Sequence, residues 1–543
     1  MSDSGIERRK NGRVKYELNV SFQGTSRGYL ESYDISAFGM FLKTEKPLPL
    51  ESKLFITFTL PESPAPIKTY GKVAWINQGQ SDDGQPEGMG IHFLNISEFN
   101  RKRLEKFLTT SMPFEIKINS EDHTLFDFSH ASKENFQMRS EKLYSYISDM
   151  EEKGYYTYRR PLTSSASNKV MVYDEKLNKE KEMIMLASNN YLGLADHPEV
   201  VEAGKKAIEK YGLGTASAPM LSGTFELHKE LEEKIAKFIG AEKAIIFPSG
   251  YSASVGTISG IIRNNDVVFI DRMAHASLID GCLMSGVRFR TFRHNDVKNL
   301  EVLLSKADPK DDKLVVVEGV YSMDGDLPPL PEVVELAKKY NAKILLDEAH
   351  AIGVLGDNGK GSASHFGVEG EIDITLGTFS KSLGQMGGFV ASSKYIVNYL
   401  RHYGRSYFFS ASPPPVIIAA VLKALELVQR YPELQKQLWE NINYFKYELN
   451  SMGFNTGESN SAVIPVIVGD EKTLKKMSVR MDQEGIYVNP IPYPATPRDN
   501  TLFRISLMAT HSREDLDYAL SVFKKVGTEF GIINNKKSSE ITA

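Results

Sequence analysis

Gly377-Thr378-Phe379-Ser380-Lys381-Ser382-Leu383-Gly384-Gln385-Met386-Gly387-Gly388 follows directly on the apolar run 372–376. A lysine among small hydroxyl residues and glycines, at the end of an apolar strand, fits a reactive amine held beside an anion better than a solvated surface charge. An amine that forms a Schiff base needs a lowered pKa, so that free base is available, and a carbonyl partner held in place. Thr378 and Ser380 offer hydroxyl donors to a phosphate on that partner, and the glycines let backbone come close. Read alone, the segment is equally well a Gly/Ser loop with one exposed lysine. What precedes it decides between the two.

Upstream, apolar runs at 244–247, 267–270, 314–317 and 344–346 alternate with helix-period segments such as 225–238 and 330–340. With 372–376 this order predicts an α/β domain on a mainly parallel sheet, with functional groups at the carboxyl ends of the strands. The first run enters Pro248-Ser249-Gly250-Tyr251, a helix start whose N–H groups can hold a phosphate. The next enters Asp271-Arg272-Met273-Ala274-His275, and 314–317 enters Glu318-Gly319-Val320-Tyr321-Ser322. The run 344–346 enters Asp347-Glu348-Ala349-His350, and an acid at a buried strand end is costly unless paired. Singly, these are a Ser-Gly turn, a core histidine and a capping aspartate. Their succession along one sheet is not explained that way.

Further stretches are Ser188-Asn189-Asn190-Tyr191-Leu192-Gly193-Leu194, Ser222-Gly223-Thr224 with Leu227-His228, Phe409-Ser410-Ala411-Ser412-Pro413-Pro414, and Arg504-Ile505-Ser506-Leu507-Met508-Ala509-Thr510-His511. The whole set resembles the α-oxoamine synthases, fold-type I pyridoxal-phosphate enzymes. That family includes serine palmitoyltransferase, 2-amino-3-ketobutyrate ligase, 8-amino-7-oxononanoate synthase and 5-aminolevulinate synthase. The resemblance implies a smaller C-terminal α+β domain and a homodimer that shares its active sites. It implies four catalytic residues. Lys381 carries the cofactor and removes the substrate α-proton, Asp347 pairs with the pyridine nitrogen, His275 stacks on the ring, and Arg504 forks onto the amino-acid carboxylate. His350 and Ser322 then lie near the phenolic oxygen, and Gly250, Tyr251 and Thr378 contact the phosphate. Ser249, Glu318 and Ser380 also belong to the cofactor site, while Ser410 and Ala411 reach the phosphate from the other subunit. No metal is implied.

The implied reaction joins serine, alanine or glycine to an acyl thioester, on CoA or acyl carrier protein, with loss of the carboxylate to leave a 3-oxo amine. Asn489-Pro490-Ile491-Pro492-Tyr493-Pro494-Ala495-Thr496-Pro497 resembles the loop of bacterial serine palmitoyltransferases more than that of the ketobutyrate ligases. This favours a long acyl chain and a sphingoid-base-like lipid product. A short-chain synthase, an aminotransferase, and an effector protein whose enzyme half is a scaffold are the alternatives. One departure is Pro219, where family members often carry an arginine; Arg159 or Arg160 is the candidate to replace that cation.

Before this domain the pattern changes. Alternating runs at 16–22, 54–60, 69–76 and 88–93 and a helix at 97–108, capped by Ser97, predict a small antiparallel β-barrel. Arg8-Arg9-Lys10-Asn11-Gly12-Arg13 carries an Arg-x-x-x-Arg spacing, and Asp34-Ile35-Ser36-Ala37-Phe38-Gly39 carries Asp-x-Ser-x-x-Gly. Together they resemble the PilZ domain, a bacterial receptor module for cyclic di-GMP. Arg8, Arg9 and Arg13 suit phosphates and the guanine edge, Asp34 and Ser36 suit base or sugar, and Gly39 suits a tight turn. The expected organisation is a PilZ-like barrel at 1–110, a linker at 111–132, the synthase at 133–533 with an entry helix at 134–152, and a disordered tail at 534–543.

Composition agrees with a globular protein of two or more domains: 543 residues, 41% hydrophobic and 25% charged. A net charge of -4 gives no overall pull toward nucleic acid. The single cysteine, Cys282, excludes an intramolecular disulfide framework and fits a reducing compartment. No apolar run is long enough to span a bilayer, and the N-terminus lacks a signal-like apolar segment. The expected address is cytoplasmic, with peripheral membrane contact left open.

Overall fold

The computed structural model describes residues 14–22, 29–61, 63–78, 86–111, 117–129, 134–174 and 178–533. The chain divides into two compact units, Met1–Ile116 and Lys117–Ala543.

In the first unit the strand Lys53–Leu60 buries Leu54, Ile56, Phe58 and Leu60 and exposes Lys53 and Thr59. That period of two is what one buried face demands of a strand. The strands Asn19–Phe22, Lys53–Leu60, Ser63–Asn77, Gly88–Phe93 and Gly39–Lys43 pair antiparallel in that order. Leu30–Ser36 then pairs with both Gly39–Lys43 and Asn19–Phe22, which closes the barrel. The helix Glu98–Ser111 adds Leu104, Phe107 and Leu108 to the barrel core, and Ser97 Oγ accepts the Asn100 N–H at 3.2 Å.

The hairpin Leu30–Ser36 and Gly39–Lys43 was not among the expected strands, because its buried residues include Ser32, Asp34 and Ser36, which break the apolar alternation. Ser32 substitutes for a ladder contact: its hydroxyl donates to the Tyr16 carbonyl at 2.6 Å and accepts the Leu18 N–H at 2.9 Å. Gly39, expected to permit a turn, has no left-handed φ. It is needed because a Cβ there would lie 2.1 Å from the Ile91 carbonyl oxygen. Lys15 sits opposite Asp34 in the ladder, and Val14 opposite Ile35. Arg8, Arg9 and Arg13 lie outside the described residues.

The second unit is built on a sheet of strands in the order Lys243–Phe247, Gly388–Ser392, Ile374–Thr378, Ala342–Asp347, Lys313–Glu318, Val267–Asp271, Arg288–Phe292. Gly388–Ser392 runs antiparallel to both neighbours, and the other pairings are parallel. Val267–Asp271, Lys313–Glu318 and Ile374–Thr378 are buried throughout. This is why they read as continuous apolar runs: both faces of a parallel sheet are covered by helices. A smaller C-terminal sheet, Val463–Gly469, Thr501–Ser506 and Asn489–Ile491, is antiparallel and is accompanied by the helices Glu433–Met452, Glu471–Gln483 and Arg513–Glu529. The hairpin Lys169–Asp174 and Lys179–Met185, joined by Ile486–Tyr487, was not expected.

Residues 117–129, expected within a linker at 111–132, belong to the second unit instead. Lys475 Nζ donates to the Ser120 carbonyl at 2.8 Å, Lys472 pairs with Glu121 at 2.7 Å, and Phe128 lies 5.1 Å from Tyr146 between ring centroids. The helix Phe136–Glu152 follows as expected, capped by Asn135. The tail 534–543 lies outside the described residues. Among the described residues, no helix is long and apolar enough to cross a membrane.

A buried polar bridge ties neighbouring strand ends together. His294 Nδ1 lies 3.0 Å from Asp271 Oδ1, and its Nε2 lies 2.8 Å from Asp326 Oδ2. Asn295 donates its backbone N–H to Asp271 at 3.0 Å and its side-chain amide to Asp326 at 2.8 Å. Burial alone would depress the imidazole pKa, but the two carboxylates outweigh it and raise the value to about 10. The folded protein therefore holds this proton more tightly than an unfolded chain, whose histidines titrate near about 6.5. The stabilisation is present in full below about pH 6.5 and is lost as pH rises through about 10. The melting-temperature gap between the unsubstituted protein and His294→Gln should accordingly be widest at and below about pH 6.5 and narrow from there toward about pH 10; a gap that stays constant over that window contradicts the assignment.

Candidate active site

Lys381 follows the strand Ile374–Thr378 on a loop that returns through Gly388–Ser392. The loop is pinned by Phe379 N–H to the Gly387 carbonyl at 2.9 Å, Gly384 N–H to the Lys381 carbonyl at 2.8 Å and Gln385 N–H to the Phe379 carbonyl at 2.8 Å. Phe379 is buried and stacked on Phe389, with ring centroids 5.8 Å apart. Burial lowers the Lys381 pKa to about 8; Asp347 and Glu318 oppose the shift and Arg504 adds to it.

Asp347 ends the next strand and lies opposite Glu318 and Leu376 in the two flanking ladders. Its Oδ1 accepts the Ala349 N–H at 2.9 Å, and burial pushes its pKa up against the pull of Lys381. Glu318, also buried, is pushed well above the carboxylate range by burial and by Asp347, and it accepts the His275 backbone N–H. His275 caps the helix Ala276–Ser285, with Nδ1 2.8 Å from Ser277 Oγ, and its residue is exposed in the single chain. Desolvation lowers its pKa, with Asp347 opposing and Lys381 assisting, so the ring is neutral at pH 7. His350 is fully buried and neutral for the same first reason, reinforced by the charges of Lys381 and Arg504. Lys381, Asp347, Glu318, His275, His350 and Arg504 therefore act on one another as one electrostatic group.

Arg504, from the strand Thr501–Ser506, is fixed by Nε to the Ser322 carbonyl at 2.5 Å and Nη2 to Asn189 Oδ1 at 3.1 Å. The same Asn189 oxygen accepts the Tyr191 hydroxyl at 3.2 Å, and that hydroxyl lies 2.7 Å from His350 Nδ1. Asn189 and Tyr191 had no assigned role from sequence. Their stretch was visible as a motif, but nothing in it shows a partner 159 positions away. Glu348 is a further buried acid, its pKa raised to about 7 by burial; it accepts the N–H groups of Ser362 and Ala363 at 2.9 Å each and braces the loop after Asp347.

Ser249 caps the helix Gly250–Ile261 and accepts the Ser252 N–H at 3.0 Å. Close contact brings this helix start to the lysine loop: a Cβ on Gly250 would lie 2.9 Å from Thr378 Cβ, and one on Gly388 would lie 2.7 Å from Gly250 Cα. Thr378 Oγ1 donates to the Gly387 carbonyl at 2.9 Å and lies 2.8 Å from Ser380 Oγ. The first-turn N–H groups of Gly250 and Tyr251 have no partner within their helix. The Tyr251 ring is exposed, with its hydroxyl on Asp280 at 2.7 Å.

Ser410 and Ala411 lie on the loop after Arg405–Phe408, where Phe409 and Ala411 are exposed. That loop is tied to the glycine-rich run, by Ser412 N–H to the Ser217 carbonyl at 3.0 Å and Thr215 Oγ1 to the Ser412 carbonyl at 3.1 Å. Arg160 does not replace the cation missing at Pro219: it is ion-paired with Asp482 and stacked on the Tyr487 ring at 3.8 Å. Arg159 is exposed, with a φ of 55°.

The aminotransferase class I and II family matches residues 181–523, and the PilZ domain family matches residues 7–110. An 8-amino-7-oxononanoate synthase of Thermosipho melanesiensis is 40% identical over 409 residues, which is 75% of this chain and 100% of the relative. A serine palmitoyltransferase of Sphingobacterium spiritivorum is 38% identical over 390 residues, 71% of this chain and 96% of the relative. Among solved structures, the serine palmitoyltransferase of Sphingomonas wittichii matches with a TM-score of 0.71 at 34% identity, covering 74% of this chain and 100% of its own. The S. paucimobilis serine palmitoyltransferase with bound PLP-myriocin aldimine matches with a TM-score of 0.70 at 35% identity, over the same shares. The chain thus belongs to the aminotransferase class I and II family, as a fold-type I α-oxoamine synthase that carries an N-terminal PilZ domain.

Proposed function

We propose that this chain condenses serine, alanine or glycine with a long-chain acyl thioester, carried on CoA or acyl carrier protein. The bond from Cα to the carboxylate breaks and CO2 leaves, a bond forms between Cα and the acyl carbon, and the thiol departs. The product is a 3-oxo amine, a sphingoid-base-like lipid precursor. The observation that carries this reading is the depressed amine of Lys381, acted on by a buried acid, Asp347, and a buried arginine, Arg504.

The residues fit pyridoxal 5'-phosphate. Its phosphate suits the helix start at Gly250 and Tyr251, where the missing Cβ of Gly250 allows Thr378 to approach, with Ser249 and Ser380 beside it. Its pyridinium suits Asp347, which burial otherwise drives toward protonation. Bound there, the cofactor supplies an electron sink for charge at Cα. Lys381 Nζ, with its pKa near neutrality, can hold and move the α-proton. His275, neutral and exposed beside Asp347, suits stacking on a ring, and His350, Ser322 and Glu318 line the remaining side. Arg504, held in orientation by Asn189 and Ser322, presents its guanidinium to the amino-acid carboxylate. Ser410 and Ala411 serve the phosphate of a partner subunit, which makes the working unit a homodimer. The 8-amino-7-oxononanoate synthases among the relatives set the competing outcome, the same bond formation with a shorter acyl donor.

The N-terminal domain is read as a cyclic di-GMP receptor that uses Arg8, Arg9, Arg13, Asp34 and Ser36. Support comes from the pairing of the strand after the basic stretch with the strand of Asp34 and Ser36.

Thiol release from acyl-CoA esters of graded length, with each amino acid in turn, tests the synthase reading. Release with long chains and one preferred amino acid is expected, abolished in Lys381→Ala; release confined to short chains points to the competing donor, and none with any pair contradicts the reading. The Lys381 amine has its own signature. Covalent capture of pyridoxal 5'-phosphate by the cofactor-free protein, trapped with borohydride, should rise with pH and level off above about 8; a rise continuing to about 10.4, the value of an ordinary lysine, is the opposite result. For the receptor, calorimetric titration should show cyclic di-GMP binding that Arg9→Ala or Arg13→Ala weakens about tenfold or more. Unchanged affinity in both variants would remove those arginines from the site.

A further inference from the structure

An apolar pocket of about 380 Å³ lies in the second unit, walled by the helix Phe136–Glu152, the helix Glu471–Gln483 and the turn after the edge strand Asn489–Ile491. Ile147, Met150, Leu474 and Ile491 supply hydrocarbon surface. Its two charged lining residues face each other: Glu471 and Lys475 are ion-paired at 2.8 Å, Lys475 Nζ also donates to the Ser120 carbonyl at 2.8 Å, and the Glu471 carboxylate oxygens accept no hydrogen bond among the described residues. Tyr158 closes one side by donating its hydroxyl to the Pro490 carbonyl at 3.1 Å. The volume falls in the range of small-molecule sites, roughly 300–1,000 Å³. Most of the lining is side-chain hydrocarbon and aromatic ring, which suits an alkyl chain better than a polar backbone or a nucleotide.

The pocket also adjoins the chemistry. Asn489 stands directly opposite Arg504 in the C-terminal ladder. Its side chain donates to the Ala187 carbonyl at 3.0 Å, two positions before the asparagine that fixes Arg504. Pro490, the next residue along the same edge strand, lines the pocket. One residue of this strand therefore faces the arginine of the site, and the strand width separates it from the apolar space.

We propose that this pocket takes the hydrocarbon tail of the acyl thioester, with the thioester end directed round the edge strand to Lys381 and Arg504. The assignment rests on the synthase reading and adds to it where the chain is held and what limits its length. Each methylene that the pocket takes in should tighten binding about fourfold, until the space is filled.

The experiment measures equilibrium binding of acyl-CoA esters of graded length to the holoenzyme, with thiol release in parallel, for the unsubstituted protein, Ile147→Trp and Ile147→Ala. Ile147 touches the pocket and none of the charged group. Affinity is expected to climb with chain length and then level off, at a shorter chain in Ile147→Trp and at a longer one in Ile147→Ala. Opposite shifts from one position do not come from general destabilisation. If the unsubstituted protein turns over long esters but both variants keep its chain-length profile, the pocket assignment is overturned and the synthase reading stands. Should no ester release thiol while the variants still shift the binding profile in opposite senses, the pocket is supported as an alkyl site and the synthase reading fails. Variants that lose short and long esters alike also overturn the assignment.

Discussion

The carboxylate of Asp347, buried at the end of its strand, and the amine of Lys381, on the loop that leaves the adjacent parallel strand, act on each other, and desolvation holds each away from its ordinary pKa. The Asp347 carboxylate would be strongly disfavoured alone, because a buried ion needs a partner. The surrounding groups answer this constraint. Glu318 and Arg504 act on Lys381 with opposite signs, and the imidazoles of His275 and His350 are kept neutral, so that they add shape without further charge.

The sheet sets the spacing of this group. Parallel registration puts Asp347 opposite Glu318 on one side and Leu376 on the other, two positions before Thr378. The lysine loop is then fastened by backbone bonds and by Phe379, whose burial leaves Lys381 little freedom. Orientation of this kind is what a positioned amine contributes to a bond-forming step. Gly250 and Gly388 matter through what they omit. Their bare backbones let the start of the helix Gly250–Ile261 come against Thr378, so the helix N-terminus and the amine share one site.

Much of this was legible from sequence for a physical reason. Strands covered on both faces are short apolar runs, and the polar residue that ends each run marks the catalytic edge; the strand limits at 244–247 and 267–270 each differ from the observed ones by one residue. The hairpin holding Asp34, Ser36 and Gly39 was not legible as two strands, since buried serines and an aspartate hide the period of two. Residues 117–129 looked like a linker because their order comes from Lys472 and Lys475, far along the chain, and not from any local pattern. The link from His350 through Tyr191 and Asn189 to Arg504 is likewise tertiary, as is the pairing that commits Arg160 to Asp482. Where the resemblance leads one to expect an arginine the chain has Pro219, and Arg160 is committed to Asp482.

In the proposed reaction one electrostatic group, centred on Lys381, couples loss of a carboxylate to acyl transfer. Incubating the holoenzyme with palmitoyl-CoA and carboxyl-labelled serine, alanine or glycine, and counting labelled CO2 against free thiol, tests it most directly. The two should appear one for one with a single preferred amino acid, and both should vanish in Lys381→Ala. Thiol released without labelled CO2, or amino-group transfer without thiol, would contradict it.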